Sequence, residues 1–362
     1  MVKVYLQRPW KFADSPYYKY LLESSPADVE YVGQNQKGGT VVNKWKMNVL
    51  HKTKGFVRWV LRVLPLPIPN AHYSPRGDYD LIHAAHCLSL NDGPWVTDTE
   101  WVGQFWLAAN YDKHPSGKYV GKILMRDNCK KILAWTKWAY DGIVKEFPEV
   151  KDKVEVVYPG IPTVNFKKIK SDKIRLLYVS RRFYFKGGLY ALEVMDRLTK
   201  KYDNVEGLVI SEVPEEVRAR YEKNKKIKVS GMILQSELFE KIYPATDILV
   251  YPSFTDTFGF AITEAMAFGI PVVSVGGLSR SELIKDGKTG FVVDEPDKWE
   301  LESLDNNEKT VDDLFEKVSY LVENEKVRRR MGIAAQKEIK GGKFSYGIRD
   351  EKLKEIYKEA LK

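Results

Sequence analysis

Residues 248–275 read ILVYPSFTDTFGFAITEAMAFGIPVVSV, and this stretch decides the fold. Its apolar run Ile248–Tyr251 stops at Pro252, as a strand buried inside a parallel sheet would. A loop and a short helix follow, and the helix ends at Gly269 with a proline two residues further on, a common stop signal. The second apolar run, Val272–Val275, is the next strand. This order predicts an α/β unit in which a helix begins at the carboxyl edge of a parallel sheet.

The beginning of that helix is suited to bind an anion. The first N–H groups of a helix have no partner within it, and the helix dipole places positive charge at the same end. Glu264 lies about one turn inside the helix, within reach of a sugar attached to a bound phosphate. A carboxylate accepts two hydroxyl hydrogen bonds, as the diol of a ribose requires. The stretch therefore predicts a site for a phosphorylated ligand that carries a sugar.

A second motif supplies positive charge. Residues 176–188 read LLYVSRRFYFKGG, so a strand leads into a cationic loop and a Lys-Gly pair opens the next helix. Arg181 offers a planar fork and Lys186 a point charge, and two such cations near a helix N-terminus can clamp a diphosphate without a metal ion. A solvated basic loop is the alternative interpretation.

Together the two motifs resemble those of the retaining glycosyltransferases of the GT-B fold, the glycosyl transferases group 1 or family 4 type. In that family two acidic residues are separated by seven others and followed by Ala-Met-Ala, Gly and Pro-Val-Val. Asp256 and Glu264 keep this spacing, with Asp where the family usually has Glu. The family's Arg and Lys, five residues apart, correspond to Arg181 and Lys186, and Ser180 replaces a family Gly.

The resemblance implies a role for each of these residues. Glu264 would bind the nucleotide ribose, and Asp256 would bind the donor hexose. Arg181 and Lys186 would hold the diphosphate of a nucleoside-diphosphate sugar. The remaining donor contacts would come from Thr257, Phe258, Gly259, Phe260 and Ala261. The catalytic group would be Arg181, Lys186, Asp256 and, from the first half of the chain, Glu100.

The first half of the chain matches the family less closely. Residues 80–83, DLIH, read as a strand that ends in a histidine, and residues 94–101, PWVTDTEW, read as another strand and loop. Many relatives have an active-site His after the second of these strands. The resemblance gives that place to Glu100, with Asp98 as the alternative, and the acceptor side would consist of His83, Asp98 and Glu100. Loop capping is the other interpretation of the two carboxylates.

We expect neither a cofactor nor a metal ion. No strand is followed by the Gly-x-Gly-x-x-Gly turn of dinucleotide-binding enzymes, which disfavours a dehydrogenase. His83 and His86 are three residues apart, but no third ligand has suitable spacing, so buried structural histidines are favoured over a metal site.

Short apolar strands alternate with helical stretches along the whole chain, which predicts doubly wound α/β domains. The turn-rich and charged stretch 154–173 indicates a boundary near residue 167. We expect an N-terminal, acceptor-side Rossmann-like domain over residues 1–167 and a donor-binding Rossmann-like domain over residues 168–343. The resemblance implies that these domains face each other across a cleft, as in GT-B enzymes, and that a C-terminal helix, residues 344–362, crosses back to the first.

Composition favours a globular cytoplasmic protein. The 362 residues suffice for two domains, and the two cysteines, Cys87 and Cys129, disfavour a disulfide framework. We find no apolar run of about eighteen residues and no signal-peptide pattern.

The net charge of +9 is concentrated in one segment. Residues 31–77 contain no Asp or Glu but eight Lys or Arg, and Lys54, Arg58 and Arg62 recur every four residues, as one stripe of a helix would. We expect residues 44–64 to contact an anionic membrane at the inner face of the cell, or an anionic acceptor. An ordinary helix with a solvated basic face is the alternative. No nucleic-acid-binding module accompanies the charge, so nucleic acid is not an expected partner.

The sequence as a whole predicts a retaining, metal-independent glycosyltransferase. It would move a sugar from a nucleoside-diphosphate-sugar donor to a glycan, lipid or small-molecule acceptor. One alternative is a nucleotide-sugar hydrolase or epimerase of the same fold, which would lack an acceptor groove. Another is a non-catalytic nucleotide-sugar-binding protein, which the substitution at Asp256 favours and Lys186 and Glu264 disfavour.

Overall fold

The chain forms two compact units. In the computed structural model the described residues are 1–7, 16–33, 60, 63, 66–108 and 115–362. The first unit consists of Met1–Gly160 together with Tyr346–Lys362, and the second consists of Ile161–Ser345.

The described part of the first unit is built around a parallel sheet. Its strands along the chain are β1 (Val2–Gln7), β2 (Val29–Val32), β3 (Ala71–His72), β4 (Leu81–Ala85), β5 (Leu88–Ser89), β6 (Trp95–Thr99), β7 (Cys129–Ala134) and β8 (Val154–Val156). Six of them form the sheet in the order β2-β1-β4-β6-β7-β8, and β3 pairs only with β5. The helices of this unit are Pro16–Glu23, Lys118–Leu124, Lys137–Glu146 and Tyr346–Ala360, with short 3-10 turns at Val102–Phe105 and Pro148–Lys153.

The second unit has the same architecture. Its strands are β9 (Ile174–Val179), β10 (Val205–Ile210), β11 (Ile227–Ser230), β12 (Ile248–Val250), β13 (Val272–Val275) and β14 (Gly290–Val293). They form one parallel sheet in the order β11-β10-β9-β12-β13-β14. The helices are Gly188–Lys201, Glu215–Tyr221, Gln235–Glu237, Phe260–Ala267, Arg280–Leu283, Glu308–Glu323 and Glu325–Lys340; a π-helical turn spans Leu238–Ile242, and 3-10 turns span Tyr184–Lys186 and Tyr243–Ala245.

Burial explains why these segments become strands. Every residue of β4, β6, β12 and β13 is buried, as expected of strands covered by helices on both faces. The predicted doubly wound α/β class is confirmed for both units. The strands predicted at Ile248–Tyr251 and Val272–Val275 are present as β12 and β13, and β2 is a strand that the sequence pattern did not indicate. β2 is a four-residue edge strand with an exposed Glu30, too short for a clear apolar period.

The division between the units falls before the predicted boundary at residue 167. Ile161 donates its N–H to the carbonyl of Phe344 at 2.9 Å, and Ile169 donates to the carbonyl of Pro244 at 3.0 Å. Lys168 forms an ion pair with Asp247 at 3.0 Å. These contacts hold the charged stretch after Gly160 to the second unit, so composition alone misplaces the boundary.

The helix Tyr346–Ala360 is an integral part of the first unit. Arg349 is 2% exposed and donates to the carbonyl oxygens of Tyr20 at 3.0 Å and Ser24 at 2.6 Å. Near the other end of the helix, the Tyr357 hydroxyl lies 2.7 Å from His83 Nδ1. The buried guanidinium therefore holds this helix to the helix Pro16–Glu23, and the buried phenol holds it to the first sheet.

The basic segment 44–64 lies outside the described residues, except for residues 60 and 63, so its predicted helical stripe is not described. Among the residues that are described, no helix combines the length and the apolar character that crossing a bilayer requires.

Two helix glycines have opposite surroundings, and they generate a stability prediction. A Cβ on Gly332, inside Glu325–Lys340, would lie 2.0 Å from the carbonyl oxygen of Gly269. A Cβ on Gly347, inside Tyr346–Ala360, would meet no atom within 4 Å. Gly332→Ala should lower the free energy of unfolding by about 1–3 kcal/mol through overpacking. Gly347→Ala should raise it by up to about 1 kcal/mol, the ordinary helix preference for Ala. Scanning calorimetry measures both, and similar shifts for the two variants would contradict the packing.

Candidate functional site

The second sheet reverses its strand order between β9 and β12. From β9 the chain proceeds outward to β10 and β11, and then returns to add β12 on the opposite side of β9. In open α/β sheets, ligands bind at the carboxyl ends of the strands where the order reverses. A ligand site is therefore expected at the loops after β9 and β12.

A close backbone approach brings these two loops together. Gly187 has a left-handed backbone, φ +69°, and a Cβ there would lie 1.9 Å from the carbonyl oxygen of Pro252. Lys186 is thereby held beside the loop after β12. Its Nζ lies 3.1 Å from Asp256 Oδ1 and donates to the carbonyl of Thr255 at 3.3 Å. Two residues predicted for the donor site are thus in contact.

The carboxylate of Asp256 is held from both sides. Its Oδ2 accepts a 2.7 Å hydrogen bond from the hydroxyl of Tyr251, while Oδ1 faces Lys186. Burial alone would raise the pKa of Asp256, but the Lys186 ammonium, the Tyr251 hydroxyl and a further cation hold the pKa below its ordinary value. Asp256 is therefore an ionised, oriented partner of Lys186.

That further cation is Arg280, which the sequence analysis did not select. Its side chain has no exposed surface. Its Nε donates to the carbonyl oxygens of Val275 at 2.9 Å and Gly276 at 3.0 Å, and its Nη1 reaches the carbonyl of Asp256 at 3.4 Å. Arg280 thus binds the loop after β13 to the loop after β12. The available signal was an Arg directly after a glycine-rich turn, where a solvated cation is the usual interpretation.

Glu264 lies on the helix Phe260–Ala267, which begins after Gly259. Gly259 has a left-handed backbone, φ +80°, and no side chain caps the first turn of the helix. Residue Glu264 is 5% exposed. Its carboxylate accepts hydrogen bonds from Gln235 Nε2 at 2.8 Å and from the Tyr243 hydroxyl at 3.1 Å. These two bonds orient the carboxylate of Glu264.

The other predicted donor residues differ in exposure. Arg181 is exposed directly after β9, and Phe260 and Ala261 are half-buried in the first helical turn. Thr257 and Phe258 are 6% and 1% exposed, so they shape the loop more than they present a surface.

In the first unit, His83 and Asp98 lie inside the protein. Their side chains have no exposed surface, and His83 Nε2 is 2.9 Å from Asp98 Oδ2. The Tyr18 hydroxyl also donates to Asp98, at 3.2 Å. Burial alone would raise the pKa of Asp98, but the neighbouring histidines hold it well below its ordinary value. The prediction that both residues contact the acceptor needs correction, because a side chain without exposed surface acts only through its neighbours.

Glu100 and His86 lie at the surface of the same cluster. The side chain of Glu100 is 28% exposed, and its Oε1 is 3.6 Å from His86 Nε2. The other ring nitrogen of His86, Nδ1, is 3.0 Å from Asp98 Oδ1. Of the three predicted acceptor-side residues, Glu100 is the one that presents a side chain to solvent.

Among the described residues, neither the cavities nor the clusters of possible metal ligands indicate a ligand site other than the loops after β9 and β12. No group of three or more His, Cys, Asp or Glu in the described parts of the chain is arranged to hold a metal ion. A cavity of about 380 Å³ lies at the carboxyl ends of β13 and β14, beside Gly276 and Glu295. A groove of about 630 Å³ on the helices Glu308–Glu323 and Glu325–Lys340 contains none of the predicted site residues.

Several known proteins are similar to this chain in sequence. Residues 163–338 match the family model of Glycosyl transferases group 1. An uncharacterized 41.2 kDa protein in the cps region of Klebsiella pneumoniae is 26% identical, over 68% of this chain and 65% of that protein. The D-inositol 3-phosphate glycosyltransferase of Pseudarthrobacter chlorophenolicus is 23% identical, over 61% of this chain and 60% of that enzyme. The chain thus spans somewhat less than two thirds of the length of these relatives.

The fold is shared with solved glycosyltransferase structures. A glycosyltransferase of Rickettsia africae superposes with a TM-score of 0.63 and 17% identity, covering 100% of this chain and 99% of that one. This chain likewise has two parallel sheets with flanking helices, and its fold is GT-B. Over residues 163–338 the chain is thus similar to the glycosyl transferases group 1 family.

Proposed function

We propose that the protein is a retaining, metal-independent glycosyltransferase that moves a sugar from a nucleoside-diphosphate-sugar donor to a glycan, lipid or small-molecule acceptor. The observation that carries the proposal is the contact of Lys186 with the Asp256 loop, where the order of the second sheet reverses. The match of residues 163–338 to the group 1 family model supports the reaction class.

Lys186 is suited to stabilise a leaving diphosphate. An ammonium has three donors, and Asp256 and the carbonyl of Thr255 account for two of them. The third N–H is then available to a phosphate oxygen. Negative charge grows on that oxygen as the bond to the sugar breaks, so a fixed cation stabilises the transition state more than the ground state. The exposed Arg181 would add a bidentate contact to the same diphosphate.

Asp256 would orient Lys186 rather than bind the donor hexose. Both of its oxygens already have partners, Lys186 and Tyr251, and Asp is one methylene shorter than the family's usual Glu. The hexose contacts would then come from other groups around the Phe260–Ala267 helix.

Glu264 would select the nucleotide half of the donor. Gln235 and Tyr243 hold its carboxylate in one orientation, so little conformational freedom is lost when a ribose diol binds. The base is not specified by these contacts, and UDP, GDP and ADP sugars are all candidate donors.

Retention would follow from attack on the face that the diphosphate leaves. The bond from the anomeric carbon to the diphosphate breaks, a bond to the acceptor oxygen forms, and the acceptor proton passes to the departing phosphate. The sequence offers no nucleophile flanked by a base, which favours this route over a covalent intermediate. Membrane contact through residues 44–64 would suit a lipid acceptor.

The contact between Lys186 and the donor predicts a large loss of turnover. Lys186→Ala should reduce consumption of nucleoside-diphosphate sugars by about 10²–10³-fold, the usual effect of deleting one transition-state donor. Lys285→Ala is the matched control, because Lys285 is paired with Glu338 on the same unit, outside the predicted site. The assay follows release of UDP, GDP or ADP from a panel of their sugars. Wild-type rates in Lys186→Ala would contradict the phosphate assignment.

Metal independence is a separate prediction. If Lys186 and Arg181 neutralise the leaving group, donor consumption should be unchanged by an excess of a strong chelator. The same assay, run before and after chelation and again after adding Mg²⁺ or Mn²⁺, tests it. A complete loss that a metal ion restores would refute the proposal.

The orientation of Glu264 predicts a loss of nucleotide affinity. Glu264→Gln keeps the volume and removes the charge, so the affinity for the preferred nucleoside diphosphate should fall by about 10–100-fold, since hydrogen bonds to a charged group contribute about 1.5–3 kcal/mol. Glu323→Gln, on a surface helix, should bind normally. Calorimetric titration with UDP, GDP and ADP gives the affinities. Equal affinities in the two variants would exclude Glu264 from the ribose site.

The same experiments separate the alternatives. A protein that binds a donor but never consumes it would be a non-catalytic binding protein. Donor consumption that yields only free sugar, whatever glycan or lipid is added, would indicate a hydrolase.

A further inference from the structure

His86 has an unusual backbone for a residue with a large side chain. It follows β4 directly and has φ +52°, in the left-handed region. Its N–H donates to the carbonyl of Asp98 at 3.2 Å, which fixes this turn to β6. Left-handed residues other than glycine are uncommon, and they often occur at functional sites. The left-handed backbone therefore marks the ring of His86 as a candidate functional group.

The ring of His86 lies between two carboxylates. Nδ1 is 3.0 Å from Asp98 Oδ1, which has no exposed surface, and Nε2 is 3.6 Å from Oε1 of the partly exposed Glu100. The ring also packs against Trp135, with centroids 4.8 Å apart, and against Tyr18 at 5.5 Å. The imidazole therefore packs against two aromatic rings and has a carboxylate near each of its nitrogens.

We propose that His86 is a positioning residue whose imidazolium, anchored on buried Asp98, holds the carboxylate of Glu100 in place at the carboxyl edge of the first sheet. The inference rests on the proposed function, because it assigns Glu100 to the acceptor side. Ligands bind at this edge of open α/β sheets. Glu100 would contact the acceptor hydroxyls, and His86 would act through Glu100.

A purely structural role leaves part of this geometry unexplained. Asp98 already receives donors from His83 and from the Tyr18 hydroxyl. A histidine that served only to satisfy Asp98 would have no need of a second acid at its outer nitrogen. The side chain of His86 is 11% exposed, so water screens its charge less than the charge of a surface histidine.

The charge of His86 depends on all the groups that face it. Among the described residues these are Asp98 and Glu100 from β6 and its loop, and the phenols Tyr17 and Tyr18 from the first helix. Burial alone would lower the pKa of His86, but the two carboxylates raise it above its ordinary value. A raised pKa keeps the ring protonated to higher pH. Fixation of the Glu100 carboxylate is thus lost as the pH rises through the pKa of His86.

The pair can be tested without any substrate. Titration of the histidine ring nitrogens by NMR, with His86 assigned by its loss in His86→Asn, gives the pKa of His86 in the full protein. Glu100→Gln should lower this pKa by about half a pH unit, as expected for one partly exposed ion pair. The control Glu149→Gln should leave it unchanged. An unchanged pKa in Glu100→Gln overturns the pairing.

The functional consequence appears in the pH profile of donor consumption. His86→Asn, which tolerates the left-handed backbone, should lower turnover about tenfold and remove the decline that follows the pKa of His86. His86→Lys restores a cation with a higher pKa, so it should recover part of the rate and extend activity to higher pH. His72→Asn, a half-buried histidine outside this cluster, is the control and should keep the wild-type profile.

Two outcomes are distinguishable. If wild-type protein consumes no donor, the proposed function fails, and the NMR titration alone decides whether His86 and Glu100 are paired. If donor is consumed but His86→Asn keeps both the wild-type rate and the wild-type pH profile, the positioning role is wrong.

Discussion

The position of the candidate catalytic cation depends on one close backbone approach. The left-handed Gly187 passes so near the carbonyl of Pro252 that no side chain fits between them, and this contact brings the loops after β9 and β12 together. Lys186 then reaches Asp256, and Asp256 reaches Tyr251. A residue with a Cβ at position 187 would separate the two loops, and the charged pair would lose its geometry even though both of its residues remained.

Both units bury an ion behind the carboxyl edge of their sheet. In the second unit it is Arg280, held by backbone carbonyls, and in the first it is Asp98, held by His83, His86 and Tyr18. Burying a charge is costly unless it is paired, so each ion requires its neighbours to remain in place. The surface groups beside them, Lys186 and Glu100, are thereby oriented before any ligand arrives, as electrostatic catalysis requires.

Sequence was informative where local patterns determine structure. The strands β12 and β13 and the assignment of Lys186 and Asp256 to one site could be predicted, because apolar runs, a Lys-Gly pair and acid spacing are local patterns. Arg280 could not be selected, since its burial depends on carbonyls of the distant loop after β12 as well as on those of its own loop. The burial of His83 was expected, whereas the burial of Asp98 was not, because one of its partners is the Tyr18 hydroxyl, which is distant in the chain. The short edge strand β2 is defined by its pairing with β1 rather than by its own pattern.

The composition of the first unit has a consequence for synthesis of the chain. Its sheet is complete by Gly160, but the helix Tyr346–Ala360 emerges from the ribosome only after the whole second unit. Until then the carbonyls of Tyr20 and Ser24 lack the guanidinium of Arg349, and His83 lacks the Tyr357 hydroxyl. The packing of the first unit is therefore completed last, whereas the residues of the second unit are contiguous in the chain. The order of folding would be the reverse of the order of synthesis, and an interruption between residues 160 and 346 would leave an incomplete, aggregation-prone first unit.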